Sequence, residues 1–285
     1  MGQLRLFIFI FCLLLITPHT GVSGGAEDCI DQLPNGSINW TRGLIQAVGA
    51  GAPPTWAVGG PQERPLALSA ARKVAQQHLF EVIRGIRIRS ATRVGDIMAK
   101  DESITTQLES MIKNARLKNK KYMTDGTVEV TMEMDLYGGF AQLILPRDIK
   151  QVESIKTSVS VAAAPAIDAA GIFTGLIVDA RGLHIKPEMN PKVLDENGME
   201  VYGSAFVSRE HAVQNGMCGY TINLDTAIAD PRVADNPLIV KGLRTVAPES
   251  SDVVIGTADA SKLRSASQNL SVLKQCRVIV IIAHK

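Results

Sequence analysis

Among the reactive residue types in this chain, one set could supply a thiolate, a base and an orienting carboxylate: Cys218, His211 and either Asp225 or Asp179. Cys218 lies between Met217 and Gly219 in a short apolar patch, and nothing near it in sequence would lower its pKa. The expectation is therefore a structural thiol. His184 and Glu188 stand four apart, but Pro187 between them disfavours the helix that would make them joint metal ligands. Asp195, Asn197 and Gly198 superficially resemble a calcium loop; without EF-hand spacing and a terminal Glu, they read as a hairpin turn. His78 sits on the apolar stripe of a helix, where a ring nitrogen bonded to a backbone carbonyl is the commoner fate. G-x-S-x-G, H-E-x-x-H, C-x-x-C and P-loop motifs are absent, and each absence removes one enzyme family. The reading is of a non-enzyme with no catalytic residue, metal or cofactor site.

The dense basic run Lys113, Arg116, Lys118, Lys120 and Lys121 offers Lys118, Lys120 and Lys121 as an interaction face. Glu129, Glu133 and Asp135 on the next strand could instead pair with it as a solvated charge ladder. No interleaved aromatics point to nucleic acid. Asn35, Asn39 and Asn269 fit N-x-S/T, which matters only in a eukaryotic secretory route. Trp40 and Trp56 could line a ligand cleft, although a buried core position is the usual fate of tryptophan.

The elements that must position these residues follow from periodicity. Ser37 to Gly49 reads as a strand. Ala71, Val74, Ala75, His78, Leu79, Val82 and Ile83 make the stripe of an amphipathic helix ended by Gly85. Ile86 to Ser90 reads as a strand, and Ser103 to Asn114 as a second helix with Asp101 and Glu102 at its positive end. Val128, Val130, Met132, Met134 and Leu136 alternate with polar residues, the pattern of a half-buried antiparallel strand, with Ala115 to Met123 as its hairpin partner. Phe140 to Leu145 reads as a closing strand. Residues 147–171, rich in Ser, Ala and Pro, read as a linker. Beyond it lie strands at Phe173 to Asp179, Leu238 to Val246, Asp252 to Ile255 and Val278 to Ile282, a hairpin turning at Asn197 and Gly198, and a helix near Ala258 to Gln268. The fold class is α+β: helices packed on an antiparallel sheet over residues 27–146, then a second α/β domain over 172–285, its apolar last strand implying helices on either side of its sheet.

Arg5, the apolar run Leu6 to Ile16, Pro18 and the small residues Ser23 to Ala26 have the layout of a secretory signal peptide over residues 1–26. That run is shorter than the roughly 20 apolar residues of a spanning helix, and no later run is longer, so the mature chain has no transmembrane segment. About 260 residues would remain after cleavage, enough for two domains. The formal net charge of +2 includes Arg5, so the mature chain has no global field to attract nucleic acid. Cys29, Cys218 and Cys276 remain outside the signal. Cys218 with Cys276 is the candidate disulfide because both lie in the second half; three small apolar thiols are the alternative. Neither Cys12 nor Cys29 follows the small apolar residues of a lipoprotein cleavage box.

The segments GSINWTRGLIQAVGAGAPP (Gly36 to Pro54), Ala70 to Ile88 and GTVEVTMEMDLYGGFAQLILP (Gly126 to Pro146) resemble the N-terminal domain of flagellar assembly protein T and the related LPP-twenty type bacterial lipoproteins. In the second half, LIVDARGL (Leu176 to Leu183) and PKVLDENGMEVYG (Pro191 to Gly203) are similar to exported proteins carrying the same N-terminal domain. The resemblance implies a periplasmic cell-envelope protein, peripheral to the outer membrane, that works in assembly with envelope or flagellar proteins or with itself. It carries over no functional residue, and the missing lipobox departs from the lipoprotein branch. A small-molecule or peptidoglycan-binding envelope protein, and then a hydrolase, are the alternatives.

Cleavage is expected between Gly24 and Ala26, with release into the periplasm. N-terminal sequencing and intact mass of the mature protein check it, and a retained Met1 or an acylated cysteine would refute it.

Overall fold

The computed structural model describes residues 28–149, 171–248 and 250–283. The signal segment and nearly all of the expected linker lie outside the described residues.

The first sheet has strand order β1-β2-β3-β7-β6 and is antiparallel throughout. Its strands are β1 (Ile30–Leu33), β2 (Gly36–Asn39), β3 (Leu44–Gly51), β6 (Arg116–Tyr122) and β7 (Val128–Asp135). The single strand expected over Ser37 to Gly49 is thus two strands, because Gly43, at φ +64°, turns the chain between β2 and β3. Between β3 and β6 come α1 (Glu63–Gly85), the short hairpin β4 (Arg87–Arg89) and β5 (Thr92–Arg93), α2 (Val94–Met98) and α3 (Glu102–Lys113). Asp101 caps α3 by accepting from the Ser103 N–H at 3.0 Å. In β7 the even residues Val128, Val130, Met132 and Met134 are buried, as the alternation requires.

The packing of α1 on this sheet is unusually close, and small residues on both sides allow it. Ala67, Ala71 and Ala75, each four residues apart, are fully buried on the helix. Opposite them stand Gly49 and Gly51 of β3. A Cβ on Gly49 would lie 2.2 Å from the Ala75 nitrogen, and one on Gly51 would lie 2.3 Å from the Ala71 nitrogen. Strand glycine is costly by itself, and here it admits a helix backbone.

Phe140 to Leu145 is a correction. The segment forms helix α4 (Gly139–Ile144), with Phe140, Ala141 and Ile144 buried, so a run apolar enough for a strand coils once Gly138 (φ +67°) turns the chain out of the sheet. Short apolar runs do not separate the two states by pattern.

The second sheet has seven strands in the order β10-β9-β13-β12-β8-β14-β11. They are β8 (Leu176–Asp179), β9 (Val193–Asp195), β10 (Glu200–Tyr202), β11 (Gly219–Thr221), β12 (Leu238–Thr245), β13 (Val253–Ile255) and β14 (Val278–Ile281). β12, β8, β14 and β11 run parallel, while β12 pairs antiparallel with β13, so the sheet is mixed. β14 lies between β8 and β11 and is buried on both faces. Sequence pattern missed α5 (Arg209–Asn215), β11 and α6 (Leu224–Ala229), all too short for a period to show. The helix expected near Ala258 to Gln268 is α7 (Thr257–Arg264), which ends before Ser265 and Ala266, and a further helix, α8 (Ser267–Lys274), follows. α6 packs on β8, β14 and β11, with Ala227 against Ile177, Ile279 and Ile281. α7 packs on β9 and β10. The opposite face of the sheet joins Trp40, Ile45, Leu79 and Phe140 of the first sheet unit in one continuous apolar core with Val178, Val240, Leu263 and Val280.

Val130, 1% exposed, faces α1, whereas Thr131 faces away from it. Val130→Asp should unfold the protein, since an unpaired buried carboxylate costs several kcal/mol, while Thr131→Asp should cost about 1 kcal/mol. Gly49→Ala should cost at least about 1–3 kcal/mol by forcing α1 off the sheet. Thermal melts check all three, and equal melting temperatures for the two Asp variants would refute the facing.

Candidate functional site

Of the residues singled out by chemistry, Trp40, Glu188 and Cys218 come together at the junction of the two sheets, and the others are dispersed. Tyr220 of β11 is the centre of this junction. Its ring meets Trp40 edge-on at 5.7 Å between centroids, and its backbone carbonyl accepts from the Thr41 hydroxyl at 2.9 Å. Its own hydroxyl accepts from the Glu188 N–H at 3.1 Å and donates to the Glu188 carbonyl at 2.9 Å. Beside it, Tyr137 is wedged between Gly43 of the first sheet unit and Gly216 of the second; a Cβ on either would meet the ring at 2.3–2.4 Å. The Gly138 N–H donates to the Val213 carbonyl at 2.7 Å. Arg209 of α5 donates to the carbonyls of Gln142 and Pro146 at the end of α4.

On the far side of Tyr220 the β4–β5 hairpin is clasped by the second half. The N–H groups of Met189 and Asn190 donate to the carbonyls of Arg87 and Ile88 of β4. At the hairpin tip Ser90 adopts φ +42°. Its N–H donates to Glu188 Oε2 at 2.7 Å, and its hydroxyl donates to Asp252 Oδ2 at 3.4 Å. Two buried carboxylates thus hold one serine. Asp252 also accepts from the Lys192 N–H at 2.9 Å. Arg89 reaches Asp148 at 3.4 Å and the Asn190 amide oxygen, set toward it, at 2.6 Å.

Glu188 is 1% exposed, and its Oε1 has no hydrogen-bond partner. Burial, with the like charge of Asp252 second, pushes its carboxyl up to about 8, against the pull of the Ser90 N–H and the guanidinium groups of Arg87 and Arg89. Burial likewise raises Asp252. In sequence, Pro187 between them sets the His184–Glu188 pair aside as metal ligands. The structure gives them separate places: His184 follows the Arg181–Gly182 turn at φ +49°, and Glu188 is a carboxyl group of the junction.

The nucleophile set does not assemble. Cys218 is buried, and burial pushes its thiol up to about 12, far from a usable thiolate. Asp179 is held by Arg181 in a two-point ion pair at 2.6 and 2.9 Å. Asp225 sits in the first turn of α6, and His211 lines an open cleft with Cys276. Cys218 and Cys276, the candidate disulfide, stand as separate buried thiols, and Cys29 is buried as well. Cys276 stands at φ +59° just before β14, with its thiol raised to about 11 by burial.

The other candidates resolve as structure. Nδ1 of His78 is 2.6 Å from the Val48 carbonyl, as its place on the helix stripe suggests. Asp195 accepts from the N–H groups of Asn197 and Met199 and pairs with Arg264 at 2.8 Å, which makes the calcium-like loop a hairpin turn. Asn269 is 1% exposed, donates to the carbonyls of Gly171 and Lys262, and accepts from the Phe173 N–H, so its amide is internal. Trp40 is core, and Trp56 is 72% exposed. Lys118, Lys120 and Lys121 divide between faces: Lys118 pairs with Glu133 at 3.2 Å, Lys121 stands opposite Glu129, and Lys120 turns to the helix side over the Tyr122 ring. With Arg116 bound to Glu133 and Asp135, the run is mainly a charge ladder. Among the described residues no group of His, Cys, Asp and Glu could hold a metal ion, and no helix is long and apolar enough to cross a membrane.

Glu188 has a stability consequence of definite sign. Its folded pKa of about 8 exceeds the ordinary 4.5, so the folded protein holds the proton more tightly. Stability is therefore greatest below about pH 4.5 with respect to this group and falls as pH rises through 8, by on the order of a few kcal/mol. Glu188→Gln, which keeps the acceptor for Ser90, should flatten this part of the slope and be more stable than the parent at pH 9. Melting temperatures between pH 5 and 9 check it, and an unchanged slope in the variant would refute it.

Residues 175–284 match a family model described as the second domain of Treponema pallidum Tp0624, a span that contains all seven strands of the second sheet. No curated protein matches the chain.

Proposed function

We propose that this chain is an exported bacterial cell-envelope protein that acts by contact, as a non-catalytic structural or assembly component in the periplasm. Its partners are envelope or flagellar assembly proteins, or further copies of itself. The observation that carries the reading is the open face of the seven-stranded sheet at β12. This strand is interior to the sheet, so its alternate residues would ordinarily be covered on both sides. Leu238 and Val240 face the core, while Ile239 and Leu243 on the other side are 46% and 48% exposed, with Val246 at 50% beyond them. α6 packs on β8, β14 and β11, leaving β12 beyond its reach. Exposed apolar side chains grouped on one strand are a contact signal, whereas scattered ones are not. The resemblance of Gly36 to Pro54 and Gly126 to Pro146 to flagellar assembly protein T supports the same reading, as does the secretory layout of residues 1–26.

A photo-crosslinking residue at position 239, expressed in cells, should give a discrete crosslinked species, and Leu243→Lys should abolish it while changing stability by no more than about 0.5 kcal/mol. Cys218→Ala, His211→Ala and His184→Ala should leave the crosslink in place. Absence of any crosslink, together with turnover of peptidoglycan, peptides or esters that Cys218→Ala abolishes without unfolding, would replace this reading with a hydrolase.

A further inference from the structure

The cleft that takes His211 has a chemistry of its own, independent of the contact reading. It has a volume of about 420 Å³ and lies between β11, α5, the loop before β14 and the segment after α6. That volume falls within the usual range of small-ligand sites. Arg232 spans it, donating to the carbonyls of Gly216 at 3.2 Å, Cys276 at 3.0 Å and Asn215. These three bonds fix a half-buried positive charge in place. Gly219 makes room for it, since a Cβ there would stand 3.3 Å from Arg232 Nε.

Arg277 stands next to it and is held by one end only. Its Nε donates to the Arg232 carbonyl at 2.8 Å, and its two Nη groups have no acceptor among the described residues. A guanidinium anchored at Nε presents its remaining N–H groups as a pre-set fork, the geometry that grips the paired oxygens of a carboxylate or phosphate. The one carboxylate in the lining, Asp230, is engaged by the Arg232 N–H at 2.8 Å. Two guanidinium groups therefore face one acid.

We propose that this cleft binds a small anionic ligand, gripped through its carboxylate or phosphate oxygens by Arg277, with Arg232 supplying a fixed positive field. Carboxylate and phosphate share this chemistry, and the test separates them.

Isothermal titration of the purified full chain with inorganic phosphate, N-acetylmuramic acid and the neutral N-acetylglucosamine reads the proposal directly. At least one anion should bind with one-to-one stoichiometry, and affinity should fall with added salt. Binding of phosphate alone would assign a phosphorylated ligand, binding of N-acetylmuramic acid alone a carboxylate, and binding of both the shared chemistry. Arg277→Gln should weaken binding by about tenfold or more, the scale of a lost charged hydrogen bond. Should that variant fold poorly, Asn215→Asp, an exposed change that puts a negative charge at the cleft, should weaken binding with the melting temperature kept. Arg181→Gln, outside the cleft, should leave binding unchanged. No binding of either anion, equal binding of the neutral sugar, or affinity untouched by Asn215→Asp would overturn the proposal.

Discussion

The two halves of the molecule meet over a carboxyl group that has been taken out of water. Glu188 gives one oxygen to the Ser90 N–H and leaves the other unpaired, while its backbone is bonded in both directions to the Tyr220 hydroxyl. An arrangement this costly to bury persists only where the surroundings over-determine it. Here they do so from both halves: Trp40, Thr41 and the β4–β5 hairpin come from the first sheet unit, and Tyr220, Asp252 and Lys192 come from the second. The two sheets meet through this polar knot and the apolar core around it. The wedge of Tyr137 between Gly43 and Gly216 fixes their approach on the other side.

The two sheets solve the problem of an exposed surface differently. The first turns one face to α1 through an alanine stripe and two glycines, and it covers the other with paired charges, Arg116 and Lys118 against Glu133 and Asp135. Its edge strand β6 is almost wholly exposed yet carries several lysines, which disfavour pairing with another strand. On the second sheet β12 turns Ile239 and Leu243 to solvent on either side of Lys241, which stands opposite Asp179 of β8. The first surface discourages association, whereas the second leaves apolar side chains open beside a single lysine. That contrast underlies the contact reading.

Chemistry is placed as unevenly as surface. The thiol weighed first as a nucleophile is kept protonated, since burial raises Cys218, and Cys276 is raised in the same way. The open cleft is instead built on arginine, whose charge survives partial burial because its guanidinium is weakly hydrated and finds carbonyl acceptors. Tyr202 and Tyr220, beside those thiols, are likewise held neutral by burial.

What the sequence by itself determined is whatever a local period or turn encodes. The stripe from Ala71 to Ile83, the alternation from Val128 to Leu136, the Asn197–Gly198 hairpin and the doubly buried last strand each follow from spacing of 3.6 or 2 residues or from turn chemistry, and each stands in the structure. His78 on its carbonyl and the charge ladder follow from the same logic. Tertiary structure decided the rest. Phe140 to Leu145 is apolar in a way that suits strand or helix, and Gly138 together with packing against the core made it a helix. β11, α5 and α6 are too short to carry a period. Ser90, Glu188, Tyr220 and Asp252, separated by up to 162 residues, acquire their chemistry only when the chain brings them together. The desolvation that shifts Glu188, like the fork left open on Arg277, is a property of that assembly, because burial and unmet hydrogen bonds have no signature along the chain.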